Sequence, residues 1–216
     1  MIKIFRSRVV FFSDFLPAGV RRMKTDNTAI YLGVCIHLDK CWVVMGKDWK
    51  DQQFSVLERK VNESTIELLK RINVPKNLSS VYCVLTCSRN ASDNERQALA
   101  DAVKSVGWKL ERIYPQDTAA LIGSGYLNKT LPEHHVWVQF EGGELTHLFV
   151  EDSVVGLSDV KDAKEQPHDI KFIIRENQPQ VVNPERDLSF WTVATGAFHM
   201  AMVLHGALFD VGKRAV

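Results

Sequence analysis

From residue 29 onward the chain moves between two rhythms. Short blocks of consecutive apolar residues alternate with stretches in which apolar residues recur every third or fourth position. The first rhythm predicts buried strands and the second amphipathic helices. AIYLGVCI (29–36) and CWVVMG (41–46) read as two strands, with HLDK between them as a hairpin turn. QFSVLERKV (53–61) supplies a third strand. In NESTIELLKRI, Ile66, Leu69 and Ile72 fall at helical spacing, Asn62 or Ser64 is a suitable N-cap, and Pro75 closes the helix. SVYCVLTC (80–87) is apolar on both faces, as a central strand covered by helices must be. A helix capped by Asp93 follows, with Ala98, Leu99, Ala102, Val103 and Val106 on one stripe and Gly107 at its end. KLERIY is the fifth strand (110–114 at its centre), and DTAALIGSG (117–125) the helix after it.

A second lobe begins near Glu133. HVWVQFEGGELTHLFVEDSVVGLSDV reads as three short strands with turns at EGG and EDS; 161–169 is polar and loop-like, and IKFII is a further strand. DLSFWTVATGAFHMAMVLHGAL reads as one long helix, apolar nearly all round but interrupted by Thr192, Thr195, His199 and His205, which marks burial in protein. The order βββαβαβα followed by βββ is that of an α/β lobe duplicated and partly eroded.

Composition narrows the class of partner. Of 216 residues, 45% are hydrophobic and 25% charged, and 27 basic against 26 acidic side chains leave a net charge of +1. That balance argues against a nucleic-acid groove. Cys35, Cys41, Cys83 and Cys87 lie in strand-like runs without a CxxC pair, which reads as reduced, buried thiols. No apolar run approaches the ~18 residues of a membrane span. The first 27 residues are a separate tail: Lys3, Arg6, Arg8, Arg21, Arg22 and Lys24 flank a brief apolar stretch around Val9, Phe11, Phe12, Phe15 and Leu16. It is too short and interrupted for a signal peptide, and suits a weak tether to a membrane surface or a partner. Globular patterning starts near Thr28, so Met23 is an alternative start to Met1.

Residues 95–126, ERQALADAVKSVGWKLERIYPQDTAALIGSGY, resemble the region of actin-like ATPases (MreB, the Hsp70 chaperones, the pilus-assembly protein PilM) where a helix, a strand and a small-residue helix approach the nucleotide. The match over 110–126 needs no gap. VWVQFEGGELTHLFV resembles the same family's second phosphate hairpin, and VVNPERDLSFWTVATGAFHMA its closing helix; together the resemblance spans most of 28–207. It implies an α/β fold of actin-like, ribonuclease H-like type. One complete lobe would occupy 28–132 and a reduced second lobe 133–216, behind the tail of 1–27.

The family's chemistry needs three acids, which orient Mg²⁺ and the attacking water. Laid on that pattern, this sequence has Val34 at the first Asp, Gln116 at the Glu and Gln139 at the second Asp. An amide cannot take a proton at neutral pH and valine cannot hold a metal-bound water. The first phosphate loop is replaced by CIHLDK, and the adenosine-binding Gly-Gly segment has no counterpart. Gly142 and Gly143 remain as a residual phosphate hairpin, although a Gly-Gly pair is also an ordinary turn.

Other chemistry is weaker. His134 and His135 are adjacent and point to opposite strand faces, and His199 and His205 are off the one-turn helical spacing, so no metal site is expected. No Gly-x-Ser-x-Gly elbow occurs, and Gly123 and Gly125 read as helix caps. The expectation is a non-catalytic actin-like scaffold without a bound cofactor. The resemblance to PilM and to the shorter MshI-type proteins implies a cytoplasmic component of bacterial type IV or MSHA pilus biogenesis, docking the cytoplasmic tail of an inner-membrane assembly protein. The tail would add peripheral contact with the inner membrane. The second reading is a small ATP-binding or ATP-hydrolysing protein of Hsp70 or MreB type.

Overall fold

A computed structural model describes residues 29–75, 79–126, 134–141, 143, 145–151, 154–157, 170–176 and 187–205. The tail of 1–27 with its membrane contact, Met23, Gly142, the start of the second lobe at Glu133, the loop at 161–169 and the end of the long helix beyond His205 lie outside those residues. Among the described residues, ten strands build two mixed sheets. The first holds β1 (Ala29–His37), β2 (Lys40–Gly46), β3 (Gln52–Glu58), β4 (Ser80–Cys87) and β5 (Lys109–Pro115), in the order β3-β2-β1-β4-β5. β1 pairs antiparallel with β2 and parallel with β4, and β2–β3 is antiparallel and β4–β5 parallel. The second holds β6 (His134–Phe140), β7 (Leu145–Glu151), β8 (Val154–Leu157), β9 (Ile170–Arg175) and β10 (Asp187–Ser189). Its order β8-β7-β6-β9-β10 repeats the first sheet strand for strand and direction for direction. Both sheets therefore follow the ribonuclease H-like plan, and the chain has the mixed α/β fold of the actin-like ATPases.

The helices differ between the lobes. α1 (Thr65–Lys70) and α2 (Asp93–Ser105) occupy the connections around β4, and α3 (Gln116–Gly123) follows β5. After β10 comes α4 (Phe190–Leu204), the one helix of the second lobe among the described residues. The connections that hold α1 and α2 run over 59–79 and 88–108; their counterparts, 158–169 and 176–186, are about half as long. That is where the second lobe is reduced.

Alternation along β1 divides the core. Ile30, Leu32 and Val34 point to the face covered by α1 and α2, where they join Leu68, Leu69, Ala102 and Val103. Tyr31 and Cys35 point the other way, into a larger core shared by α3, α4 and the inner face of the second sheet. Gly33 makes the contact with α4 close: a Cβ there would lie 2.1 Å from the Ala194 carbonyl oxygen. α3 and α4 cross at Gly123 and Gly196, where added Cβ atoms would meet the Thr192 and Ala119 carbonyl oxygens at 2.0 and 1.9 Å. Gly123 is thus a crossing residue, not a cap; Gly125, at φ +73°, does cap the end of α3.

Ser64 and Ser92 are the N-caps of α1 and α2, each in a reciprocal capping box with Glu67 or Glu95. Ser92 stands where Asp93 was expected, because its hydroxyl accepts from the N–H of Glu95. All four cysteines are free and buried. No helix among the described residues is long and apolar enough to cross a membrane.

Candidate functional site

The expected site lies where β1 and β6 end, beside the start of α3. Val34 sits among the residues under α1 and α2, so strand alternation turns it away from that place. The overlay is corrected by one residue: Cys35 is the side chain that meets Gln116. Its sulfur lies 3.7 Å from Gln116 Nε2, and complete burial pushes its pKa up to about 12 against hydrogen bonds from Thr86 and Gln116. A thiol held neutral in this way is a poor nucleophile.

Gln116 is 4% exposed, and its Nε2 donates to the Ile36 carbonyl at 2.9 Å, tying the end of β1 to α3. Gln139 turns to its own hairpin, donating from Nε2 to the Gly143 carbonyl at 3.4 Å. The Gly143 N–H donates to the Phe140 carbonyl at 2.8 Å, so this amide closes the turn and does not point at a ligand.

Aromatic rings occupy the space between the two strand ends. His37, the last residue of β1, stacks on Phe190 with ring centroids 4.4 Å apart and on Phe140, the last residue of β6, at 6.1 Å. Trp42 stacks on the same Phe190 at 4.6 Å, and Phe140 reaches it at 5.9 Å. Burial lowers the His37 pKa, opposed by a hydrogen bond with Gln116 and by the charge of Glu176. At neutral pH the stack is therefore uncharged. Over it, Lys40 of the first hairpin forms an ion pair with Glu176 at the end of β9. Sequence reasoning missed these rings. Their signal was an aromatic or imidazole side chain at the end of each of two equivalent strands, His37 and Phe140.

The turn Pro115-Gln116-Asp117 has a second connection. Asp117 is 1% exposed and accepts from Arg89 Nε and Nη2 at 2.7 and 2.6 Å, while Nη2 also donates to Thr118 Oγ1 at 2.8 Å. Arg96 Nη2 in turn donates to the Arg89 carbonyl at 3.0 Å. These bonds fasten the loop after β4 to the start of α3. Among the described residues no three His, Cys, Asp or Glu side chains come together as a metal site would need.

Neither a protein-family model nor a curated protein sequence matches the chain. Among solved structures, the ethanolamine utilization protein EutJ from Carboxydothermus hydrogenoformans is similar, with 14% sequence identity and a TM-score of 0.43. The match covers 59% of this chain and 49% of that one, so this chain spans about half the length of EutJ.

Proposed function

We propose that this chain is a non-catalytic member of the actin-like fold class that works as a scaffold. Its place is the cytoplasmic side of a bacterial pilus-assembly complex of type IV or MSHA kind, where it docks the cytoplasmic tail of an inner-membrane protein. The observation that carries the reading is the ring stack of His37, Phe140 and Phe190 under the Lys40–Glu176 pair. A phosphate chain needs N–H donors and cations directed at it, in a space it can enter. On this reading three uncharged rings take that space, and Lys40 is paired with Glu176. Cys35, Gln116 and Gln139 supply no carboxylate in place of the family's acids. What the chain keeps is packing, above all the glycine contacts that set α4 on β1 and on α3. A protein used for its shape needs that packing and not the acids.

Fractionation of cells with and without the neighbouring membrane-protein genes tests the reading. The expected result is loss of the membrane-associated complex when those genes are absent. Unchanged location and complex size in both strains would refute it.

A further inference from the structure

Among the described residues four strands form the edges of the two sheets, and three of them carry a feature that discourages pairing with another chain. β5 has a register break opposite Cys83 and Val84, charged residues at Lys109, Glu111 and Arg112, and a proline at its end. β8 is four residues long and β10 three. β3 has fewer of these protections, its one charge being the last residue, Glu58. Its seven residues pair with β2 in unbroken register, from Gly46 opposite Gln52 to Lys40 opposite Glu58, and QQFSVL contains neither charge nor proline. Among the described residues its backbone makes one bond outside the β2 ladder, from Arg71 Nη1 to the Glu58 carbonyl at 2.9 Å. A long, regular edge whose first six residues carry no charge offers its outward N–H and C=O groups to any extended chain that reaches it.

We infer that β3 is a peptide-docking edge, on which an extended segment of a partner protein adds to the first sheet as a sixth strand. The side chains along the edge define that segment. On the α4 face, Phe54 meets Trp191 edge-on with ring centroids 5.7 Å apart, and Val56 is 49% exposed although it lies opposite buried Trp42. A strand laid beside them places every second side chain against this apolar strip, so the partner carries apolar residues at alternate positions. On the other face Gln53 and Ser55 call for polar ones, and Leu57, packed on the core, for an apolar one at that end.

Size selects the occupant. Seven residues at about 3.4 Å each give a strip about 24 Å long. One added strand covers far less than the ~1,200 Å² that a stable association of two folded proteins buries. The edge therefore suits a tail that forms main-chain bonds along its whole length better than a second copy of this chain. The identity of the partner rests on the scaffold reading; the edge itself does not.

The probe is an acetylated, amidated Lys-Thr-Val-Thr-Val-Thr-Val-Lys peptide, with a copy N-methylated at each valine as control. Hydrogen exchange of the full chain is followed with each. The parent peptide is expected to slow exchange within 52–58, and the methylated copy, which keeps the side chains but loses donors, to bind about tenfold more weakly. Val56→Lys changes an exposed position and leaves the fold intact, and it is expected to weaken the parent peptide to a similar degree. Unchanged exchange at β3 with millimolar parent peptide, or equal binding of both peptides, would overturn the inference. So would a concentration-dependent dimer abolished by Val56→Lys, which assigns the edge to a second copy. In cells the two readings separate. Recruitment that persists with Val56→Lys removes β3 as the docking edge and leaves the scaffold standing. Peptide pairing at β3 in a chain that is never recruited does the reverse.

Discussion

At the scale of single residues, the tightest constraints come from two glycines and one buried carboxylate. Gly123 and Gly196 let the backbones of α3 and α4 touch, and the 1.9 Å separation at Gly196 leaves no room for a methyl group. Because the obstacle is main chain on both sides, Gly196→Ala is expected to cost about 3 kcal/mol or more in a denaturant melt. Gly143→Ala, whose nearest neighbour is the Phe140 side chain at 3.2 Å, should stay within about 0.5 kcal/mol. Asp117 is the second constraint. Removing Arg89 strands a carboxylate that is 1% exposed, so Arg89→Ala is expected to cost about 3 kcal/mol. Equal stability of Arg89→Ala and the parent chain would show that the pair is not holding the turn. None of this was legible in the sequence. A glycine in a small-residue helix looks like a cap until the helix it crosses is known, and Arg89 and Asp117 are separated by a helix and a strand.

At the scale of elements the sequence carried more. The strands from 29 to 115 and the helices between them were legible because each is covered on a known side, so period and burial agree. Several boundaries were not: α1 ends at Lys70 with Arg71 as its C-cap, short of the Pro75 that was read as closing it. The third strand ends at Glu58 and not at 61, because Arg59 N–H turns to the Asp39 carbonyl at 2.6 Å and Asn62 takes φ +62°. β10 was read as the start of the long helix, since three residues, Asp187–Ser189, are too few to show a period. The cap of α2 illustrates how local chemistry settles an end. Ser92 and Glu95 satisfy each other's backbone N–H groups, so Ser92→Ala is expected to destabilise the protein by about 1 kcal/mol, with hydrogen exchange rising first in the first turn of α2. An unchanged exchange rate there would mean that packing alone fixes the helix start.

At the scale of the whole molecule, the two lobes share one core, and two histidines are held below their ordinary pKa by burial. Burial lowers the pKa of His37 and takes His199 on α4 down to about 4. For a histidine whose folded pKa is depressed, stability is fully present above the unfolded value of about 6.5 and is lost as pH falls toward the folded value. Melts from pH 7 to pH 4 should therefore show falling stability, with His199 contributing a slope that approaches about 1.4 kcal/mol per pH unit. His199→Gln should flatten that slope, and a slope unchanged by it would remove His199 from the account. The proposed scaffold reading turns on the His37, Phe140 and Phe190 rings at the ends of β1 and β6, proposed to take the place of phosphate-binding groups. Isothermal titration of the full-length chain with Mg-ATP tests it most directly. The account predicts no saturable binding, with any association weaker than about 1 mM, equivalent to about 4 kcal/mol. Saturable Mg-ATP binding in the micromolar range would contradict it.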